Sequence, residues 1–260
     1  MKRGETLSGL LDFAVDAAWQ AGKITLEYFQ TNLDVKTKSD HSPVTIADKR
    51  TEEKLRELIA ARFPDDAIAG EEFGETPGSS GYRWIIDPID GTRSFIHGVG
   101  FYGVLVGLEY TGDCVLGVVN LPALNEMVYA AKGLGCHWNG RAASVSPVSG
   151  MKNALLLTTD VTTLRESERG AAYERLAREV KMQRSWGDCY GHILVATGRA
   201  EIMLDPVMNE WDCAPLLPIL QEAGGHFTDW RGVPTIKGGD AISTNAVLFE
   251  QTMKTIRQPA

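Results

Sequence analysis

The chain has 260 residues and an ordinary composition for a globular protein, with 43% hydrophobic and 23% charged residues. This length permits a large hydrophobic core and lies near the upper limit for a single domain. The formal net charge of −8 leaves no basic excess that could displace counterions from a nucleic acid, so we exclude a general nucleic-acid binder.

The cysteines and the N-terminal residues bear on the cellular compartment. The four cysteines are widely spaced and the five histidines show no ligand spacing, which argues for reduced thiols and against a zinc site. Asp12 and Asp16 interrupt what would be the apolar core of a signal peptide, and no apolar run approaches membrane-spanning length. We therefore expect a soluble, cytoplasmic protein without a membrane partner.

The first half of the chain predicts two helices followed by strands. Apolar residues at helical spacing indicate a long amphipathic helix over Leu7–Phe29 and a second helix over Thr45–Phe63, which ends before Pro64. Residues 35–44 are typical of a hairpin or mobile loop, and Gly74–Gly81 of a second loop. The predicted strands, of which the last four suggest an antiparallel meander, are Ala67–Glu72, Trp84–Ile86, Tyr102–Tyr110, Val115–Asn120, Glu126–Ala131 and Gly135–Trp138.

In the second half, predicted helices and strands alternate. The helices are Glu166–Val180, Gly191–Thr197, Asp212–Ala223 and Val247–Ile256. The strands are Leu155–Thr159, Gln183–Trp186, Glu201–Asp205, His226–Trp230 and Ala241–Ser243. Pro218 lies inside the third helix, where we expect a kink or a short first turn. The alternation predicts a layered α/β or α+β chain, with residues 1–260 forming a single domain of two lobes and a soft seam near residues 146–153.

The most informative stretch is Trp84–Thr92, with the sequence W-I-I-D-P-I-D-G-T. Its apolar start is typical of a buried strand that ends before Pro88, and Asp87 and Asp90 lie at that end. Two carboxylates on a stiff turn can converge on a hard cation such as Mg²⁺. The Gly-Thr pair that follows offers backbone N–H groups and a hydroxyl to a phosphate. Taken alone, the motif is equally compatible with a turn whose aspartates cap a helix or face water.

Three other motifs contain acids, and two of them, G-E-E and W-D, place these acids at the boundary of a regular element, where ligands usually cluster. The three motifs are G-E-E at residues 70–72, T-I-A-D at residues 45–48, and W-D at residues 211–212, which opens a helix ending in E-A-G-G. Glu71, Asp87, Asp90 and Asp212 would repel one another in one cleft unless cations neutralised them.

In order and spacing, these motifs cover the chain from roughly Lys38 to Asn245, and in them the sequence resembles the inositol monophosphatase superfamily of Mg²⁺-dependent phosphatases. The resemblance implies an αβαβα layered sandwich, usually assembled as a homodimer, with two or three Mg²⁺ ions per active site. It also implies a small-molecule phosphate ester as substrate, hydrolysed by in-line attack of a hydroxide on phosphorus.

The resemblance assigns roles residue by residue. The implied metal ligands are Glu71, Asp87, the Ile89 carbonyl, Asp90 and Asp212. The implied phosphate contacts are Gly91, Thr92 and Arg93. The implied catalytic set is Asp48, Glu71, Asp87 and Thr92, in which Thr92 and Asp48 orient and deprotonate the attacking water and Glu71 helps to hold it. Lys38 matches a lysine on a mobile loop near the site, and a surface charge is the alternative for it.

The leaving group must be recognised elsewhere. The segments G-D-C-Y-G at residues 187–191 and D-P-V-M-N at residues 205–209 look like the histidinol-phosphatase branch of the superfamily. Inositol phosphatases typically carry a small or hydroxylated residue where this chain has Asp188. We expect acidic side chains to face a cationic amine and imidazole. The predicted substrate-binding residues are Arg184, Asp188, Asp205, Asn209 and Asp212, with Glu210 as a further acidic candidate.

Some of these assignments have alternatives. Arg184 could contact the phosphate, contact a second subunit, or pair with Asp188, and Asp205 could cap the turn before Pro206. The first interpretation is a phosphatase for L-histidinol phosphate. The alternatives are a phosphatase for inositol 1-phosphate or another small sugar or nucleotide phosphate, and a non-catalytic protein that binds metal and phosphate as a regulator. The presence of every implied ligand and water-positioning residue argues against the last of these.

Overall fold

A computed structural model describes residues 5–38 and 42–258 of the chain. Its main elements are two β-sheets that are separated and flanked by helices. The helices are α1 (Leu7–Tyr28), α2 (Ile46–Arg62), α3 (Thr92–Ile96), α4 (Val161–Glu166), α5 (Gly170–Glu179), α6 (Asp188–Ala196), α7 (Glu210–Glu222) and α8 (Phe249–Ile256). The strands are β1 (Lys36–Thr37), β2 (Pro43–Val44), β3 (Ala67–Gly70), β4 (Gly74–Thr76), β5 (Tyr82–Asp90), β6 (Gly103–Tyr110), β7 (Asp113–Leu121), β8 (Glu126–Ala131), β9 (Gly135–Trp138), β10 (Arg141–Ala143), β11 (Leu155–Thr158), β12 (Met182–Arg184), β13 (Ile202–Asp205), β14 (His226–Thr228) and β15 (Ala241–Thr244).

The larger sheet has eight strands in the order β10-β9-β8-β7-β6-β5-β3-β4. Its strands β5 to β10 form an antiparallel meander, of which β6 to β9 were predicted, whereas β3 runs parallel to β5. The smaller sheet has five strands in the order β12-β11-β13-β15-β14, and β11 is parallel to both of its neighbours. The carboxyl ends of β11 and β13 therefore meet at one edge of this sheet, where the chain leaves the strands at Thr159 and Asp205.

Alternate residues along each strand enter different hydrophobic cores. In β5, Trp84 and Ile86 pack with α1 and α2 on the outer face of the larger sheet, whereas Ile85 packs with α6 and α7. In β13, Met203 joins the same middle layer, and the residues on either side of it pack against α5 and α8. The order helices, sheet, helices, sheet, helices confirms the expected αβαβα sandwich.

Helix α7 lies unusually close to the larger sheet. A Cβ atom on Gly117 of β7 would lie 2.0 Å from the Pro215 carbonyl oxygen, and one on Gly107 of β6 would lie 2.9 Å from the Ala214 Cβ. Glycine is thus required by close approach at both strand positions. The helix runs without a break from Glu210 to Glu222 through both Pro215 and Pro218, so the expected short first turn at Pro218 is wrong.

Three further predictions of local structure are wrong in detail. β5 does not end before Pro88 but continues to Asp90. The pairing with β6 shifts register between Asp87 and Asp90, so the sheet tolerates a proline, which has no N–H to donate, at this irregularity. The loop predicted over Gly74–Gly81 begins with β4, which pairs with β3. The helix predicted from Glu166 instead starts at Gly170 and is preceded by α4.

The predicted hairpin at residues 35–44 is present as β1 paired with β2, and its residues 39–41 lie outside the described residues. In residues 5–38 and 42–258, no helix combines the length and the apolar character needed to cross a membrane.

Candidate active site

The carboxyl end of β5 supplies the centre of the site. Asp87 is only 2% exposed, and its Oδ1 accepts the Ile89 N–H at 3.0 Å. Asp90 Oδ2 accepts the Cys189 N–H at 2.5 Å, which ties β5 to the start of α6. Gly91 has a φ of +80°, a left-handed conformation that favours glycine and lets the chain turn directly into α3. The strand end thus holds both aspartates through backbone N–H groups.

Asp212 comes to the same point from α7. It is the acid of a helix-capping pair, and its Oδ2 accepts the Asn209 N–H at 2.6 Å. One carboxylate oxygen from each of Asp87, Asp90 and Asp212 lies within 4.8 Å of the other two. The structure therefore brings together three of the predicted metal ligands.

The electrostatics of this trio suit a divalent cation. Burial, together with the charges of Glu71, Asp90 and Asp212, raises the pKa of Asp87 well above its ordinary value. Burial and the Asp212 charge raise the pKa of Asp90 to about 7, and burial raises the pKa of Asp212 to about 6. Like charges held this close are unfavourable unless a cation balances them. Oxygen-only ligands fit a hard cation such as Mg²⁺.

Glu71 lines the same cavity as the trio from the loop that follows β3. Glu52 of α2 holds this loop, because its carboxylate accepts the Glu72 N–H at 2.7 Å and the Phe73 N–H at 3.2 Å. Gly70 makes the approach possible, since a Cβ there would lie 2.2 Å from Glu52 Oε1. A buried carboxylate of α2 therefore determines where Glu71 lies.

Lys38 lies beside Glu71 rather than on the open surface. Its Nζ donates to Glu71 Oε1 at 2.7 Å and to Glu72 Oε1 at 2.5 Å. Burial acts against the charge of Lys38, but the hydrogen bonds to the two glutamates raise its pKa. The expectation of a lysine near the site agrees with this position.

Asp48 and Thr92 meet behind the aspartate trio. Asp48 is fully buried, and its Oδ2 accepts both the Thr45 N–H and the Thr45 hydroxyl at 2.7 Å. The Thr92 hydroxyl donates to the Ile89 carbonyl at 2.9 Å and lies 3.4 Å from Asp48 Oδ1. Burial raises the pKa of Asp48 although the Thr45 hydrogen bonds oppose the rise. This pair can receive a proton from a water that contacts Thr92.

A cavity of about 180 Å³ is lined by the aspartate trio, Glu71 and Thr92, and it is also lined by two more acids, Asp188 and Asp205. Burial and the charge of Asp90 raise the pKa of Asp188 to about 7, and burial raises the pKa of Asp205 well above its ordinary value. Asn209 also lines this cavity. Sequence reasoning missed Thr159, which also lines the cavity and whose place beside Asp205 follows only from the pairing of β11 with β13.

Three residues predicted to belong to the site lie outside the lining of this cavity. Arg184 is exposed on β12, where it donates to the Gln183 carbonyl at 2.7 Å, and Arg93 is exposed on α3. Neither is among the described residues that line the cavity. The Glu210 carboxylate is paired with Arg83 at 2.8 Å, so the expectation that it faces a cationic substrate is wrong.

The fold and the site define a phosphatase of the inositol monophosphatase family, and the chain belongs to this family, whose model matches residues 6–258. It is similar to the histidinol-phosphatase of Chlorobaculum parvum, with 46% identity over 89% of this chain and 90% of that protein. The histidinol-phosphatase of Mycobacterium tuberculosis is 33% identical over 94% and 96% of the two chains. Among solved structures, the extragenic suppressor protein suhB of Bartonella henselae has a TM-score of 0.90 at 26% identity, covering 96% and 99% of the two chains. The resemblance stated from sequence is confirmed.

Proposed function

We propose that this chain is a Mg²⁺-dependent phosphatase that hydrolyses L-histidinol phosphate to L-histidinol and phosphate in histidine biosynthesis. In this proposal residues 1–260 form one catalytic domain that works as a cytoplasmic homodimer. The observation that carries the proposal is the pair Asp188 and Asp205, two carboxylates that line the same cavity as the aspartate trio.

The metal end of the site would bind the phosphate. Mg²⁺, two or three ions per site, would activate water and stabilise the leaving oxygen when bound. The groups that would hold it are Glu71, Asp87, the Ile89 carbonyl, Asp90 and Asp212. Gly91 and Thr92 would contact the phosphate at the start of α3.

The Thr92–Asp48 pair would take the proton of the attacking water. The Thr92 hydroxyl has one proton and two acceptors within reach, the Ile89 carbonyl and Asp48 Oδ1. When water gives its proton to Thr92, the hydroxyl can pass its own proton to Asp48. The raised pKa of the buried Asp48 favours this transfer.

The two carboxylates Asp188 and Asp205, which we call the acidic wall, would select the leaving alcohol. Histidinol carries an amine and an imidazole, both of which can be cationic, whereas inositol offers only neutral hydroxyls. Carboxylates that lose their hydration in a cavity need a cationic partner, and a neutral polyol would leave them unpaired. Asp188 and Asp205 would meet the cationic groups, and Asn209 would hydrogen-bond the imidazole. The names of the Chlorobaculum and Mycobacterium relatives support the same substrate.

The direct test is release of inorganic phosphate from histidinol phosphate and from inositol 1-phosphate, measured side by side with Mg²⁺. We expect kcat/KM to favour the histidinol ester by at least about tenfold, since the acidic wall pairs with only one of the two leaving groups. Equal or faster hydrolysis of the inositol ester would overturn the assignment. Chelation of Mg²⁺ must abolish both activities.

A further inference from the structure

One hydroxyl links the Asp205 carboxylate to the backbone N–H of Asp188. Thr159 Oγ1 donates to Asp205 Oδ2 at 2.7 Å and accepts the Asp188 N–H at 2.8 Å. A hydroxyl has a single proton, so donating it to Asp205 leaves the oxygen lone pairs to accept the backbone N–H of Asp188. We propose that Thr159 is a positioning residue that fixes Asp188 and Asp205 relative to each other and thereby sets the leaving-group specificity of the site. This inference rests on the proposed function, because it concerns the same acidic wall.

The sheet places Thr159 where this role requires. In the pairing of β11 with β13, Thr158 lies opposite Leu204, so the next residues along the two strands are Thr159 and Asp205. Both strands are parallel, and their carboxyl ends open on the cavity that both residues line. The Thr159–Asp205 contact is therefore a continuation of the strand register into the site.

The start of α6 needs this hydroxyl. Asp188 is the first residue of α6 and has a φ of +51°. This left-handed conformation is less favourable for a residue with a Cβ atom than for glycine. The capping position is Gly187, which has no side chain to accept the free N–H groups of the helix start. Thr159 supplies the missing acceptor from a neighbouring strand. A Cβ on Gly187 would lie only 2.2 Å from the Thr159 Cα, so glycine is what allows this approach.

A second tether keeps the metal end independent of Thr159. The Cys189 N–H donates to Asp90 Oδ2 at 2.5 Å, and that hydrogen bond does not involve the threonine. Loss of the Thr159 hydroxyl therefore removes a donor from the Asp205 carboxylate and the acceptor of the Asp188 N–H, while Asp90 keeps its backbone donor. The consequence is a defect in leaving-group selection that is larger than any defect in phosphate chemistry.

The test compares Thr159→Val, which keeps the side-chain shape and removes the hydroxyl, with Thr159→Ser, which keeps the hydroxyl. Each variant is assayed as full-length enzyme with Mg²⁺ on histidinol phosphate and on p-nitrophenyl phosphate. We expect Thr159→Val to lose at least about tenfold more kcat/KM on histidinol phosphate than on the aryl ester, mainly through KM, since a hydrogen bond to a charged group is lost. Thr159→Ser should recover most of this loss.

The neighbouring Thr158 provides a matched control. Its side chain is buried and its hydroxyl has no hydrogen-bond partner among the described residues. Thr158→Val removes the same atom one position away and should leave the ratio of the two activities unchanged. If Thr159→Val does not fold, the pair Thr159→Ser and Thr159→Ala isolates the hydroxyl in the same way.

The outcomes separate this inference from the proposed function. Faster hydrolysis of inositol 1-phosphate by the unmodified enzyme overturns the proposed function, and the variants are then compared on inositol 1-phosphate and the aryl ester. Equal losses on the aryl ester and on the preferred substrate, or no loss at all, overturn the role of Thr159. A failure of serine to restore selectivity also overturns it.

Discussion

Replacing Asp212 by asparagine should stabilise the metal-free protein while it destroys the activity. The three clustered carboxylates have raised pKa values, so each is costly to keep ionised in the folded state without a cation. An asparagine removes one of these charges. Its side-chain oxygen can still accept the Asn209 N–H that Asp212 accepts at 2.6 Å, so the start of α7 remains capped.

The sign and size of the expected change in stability follow from the pKa of Asp212. A rise from 3.8 to about 6 corresponds to about 3 kcal/mol at 1.36 kcal/mol per pH unit. Because the folded state binds the proton more tightly than the unfolded state, the penalty is fully present above pH 6 and disappears as the pH falls towards 3.8. Asp212 is partly exposed to the cavity, where water screens its charge, so we expect a gain of about 1–2 kcal/mol at pH 8.

Urea unfolding in the presence of a chelator, at about pH 8 and about pH 4.5, measures this gain from the linear dependence of the unfolding free energy on denaturant. Glu210→Gln is the matched control, because Glu210 lies in the same helical turn but is paired with Arg83 and has a lowered pKa. That variant should lose stability at pH 8. A lower stability of Asp212→Asn than of the parent at pH 8, or an equal gain in stability at both pH values, would contradict this expectation.

Three other substitutions test neighbouring parts of the structure. Asp188→Asn should reduce kcat/KM on histidinol phosphate at least about tenfold more than on an aryl phosphate, since only the former has a cation to pair with it, and parallel losses in phosphate-release assays would contradict this. Thr45→Ala should lower the unfolding free energy by about 1 kcal/mol through loss of the α2 cap, and should slow turnover by releasing Asp48; unchanged kcat in a magnesium-saturated assay would argue against that link. Gly187→Ala should cost about 1–3 kcal/mol, because the new Cβ meets the Thr159 backbone, and an unshifted thermal midpoint would show that the contact is not rigid.

The local motif around β5 was readable from sequence, whereas its partners across the fold were not. The order of apolar and acidic residues from Trp84 to Thr92 indicates a strand end with two convergent carboxylates, and the structure has that arrangement. No local pattern tells which distant acid joins them. Asp212 was assigned through the family resemblance alone.

Other features depend on pairings that the sequence does not display. Glu210 was predicted to face the substrate, but it forms an ion pair with Arg83 of β5. Only the packing of α7 over the sheet brings those two residues together. Strand β4 was predicted as a loop because its composition is polar, yet β3 supplies it with a hydrogen-bonding edge. Thr159 was overlooked because a single threonine after a strand carries no signal until the register with β13 is known.

Because α7 packs closely on strand glycines, a substitution far from the cavity can inactivate the enzyme. Any side chain at Gly117 would push against the Pro215 carbonyl and move the helix that carries Asp212. A random screen for inactive mutants should therefore recover residue 117 beside the acidic ligands themselves. Natural drift at that position would abolish the activity through misalignment, although the sequence would still encode every proposed metal ligand.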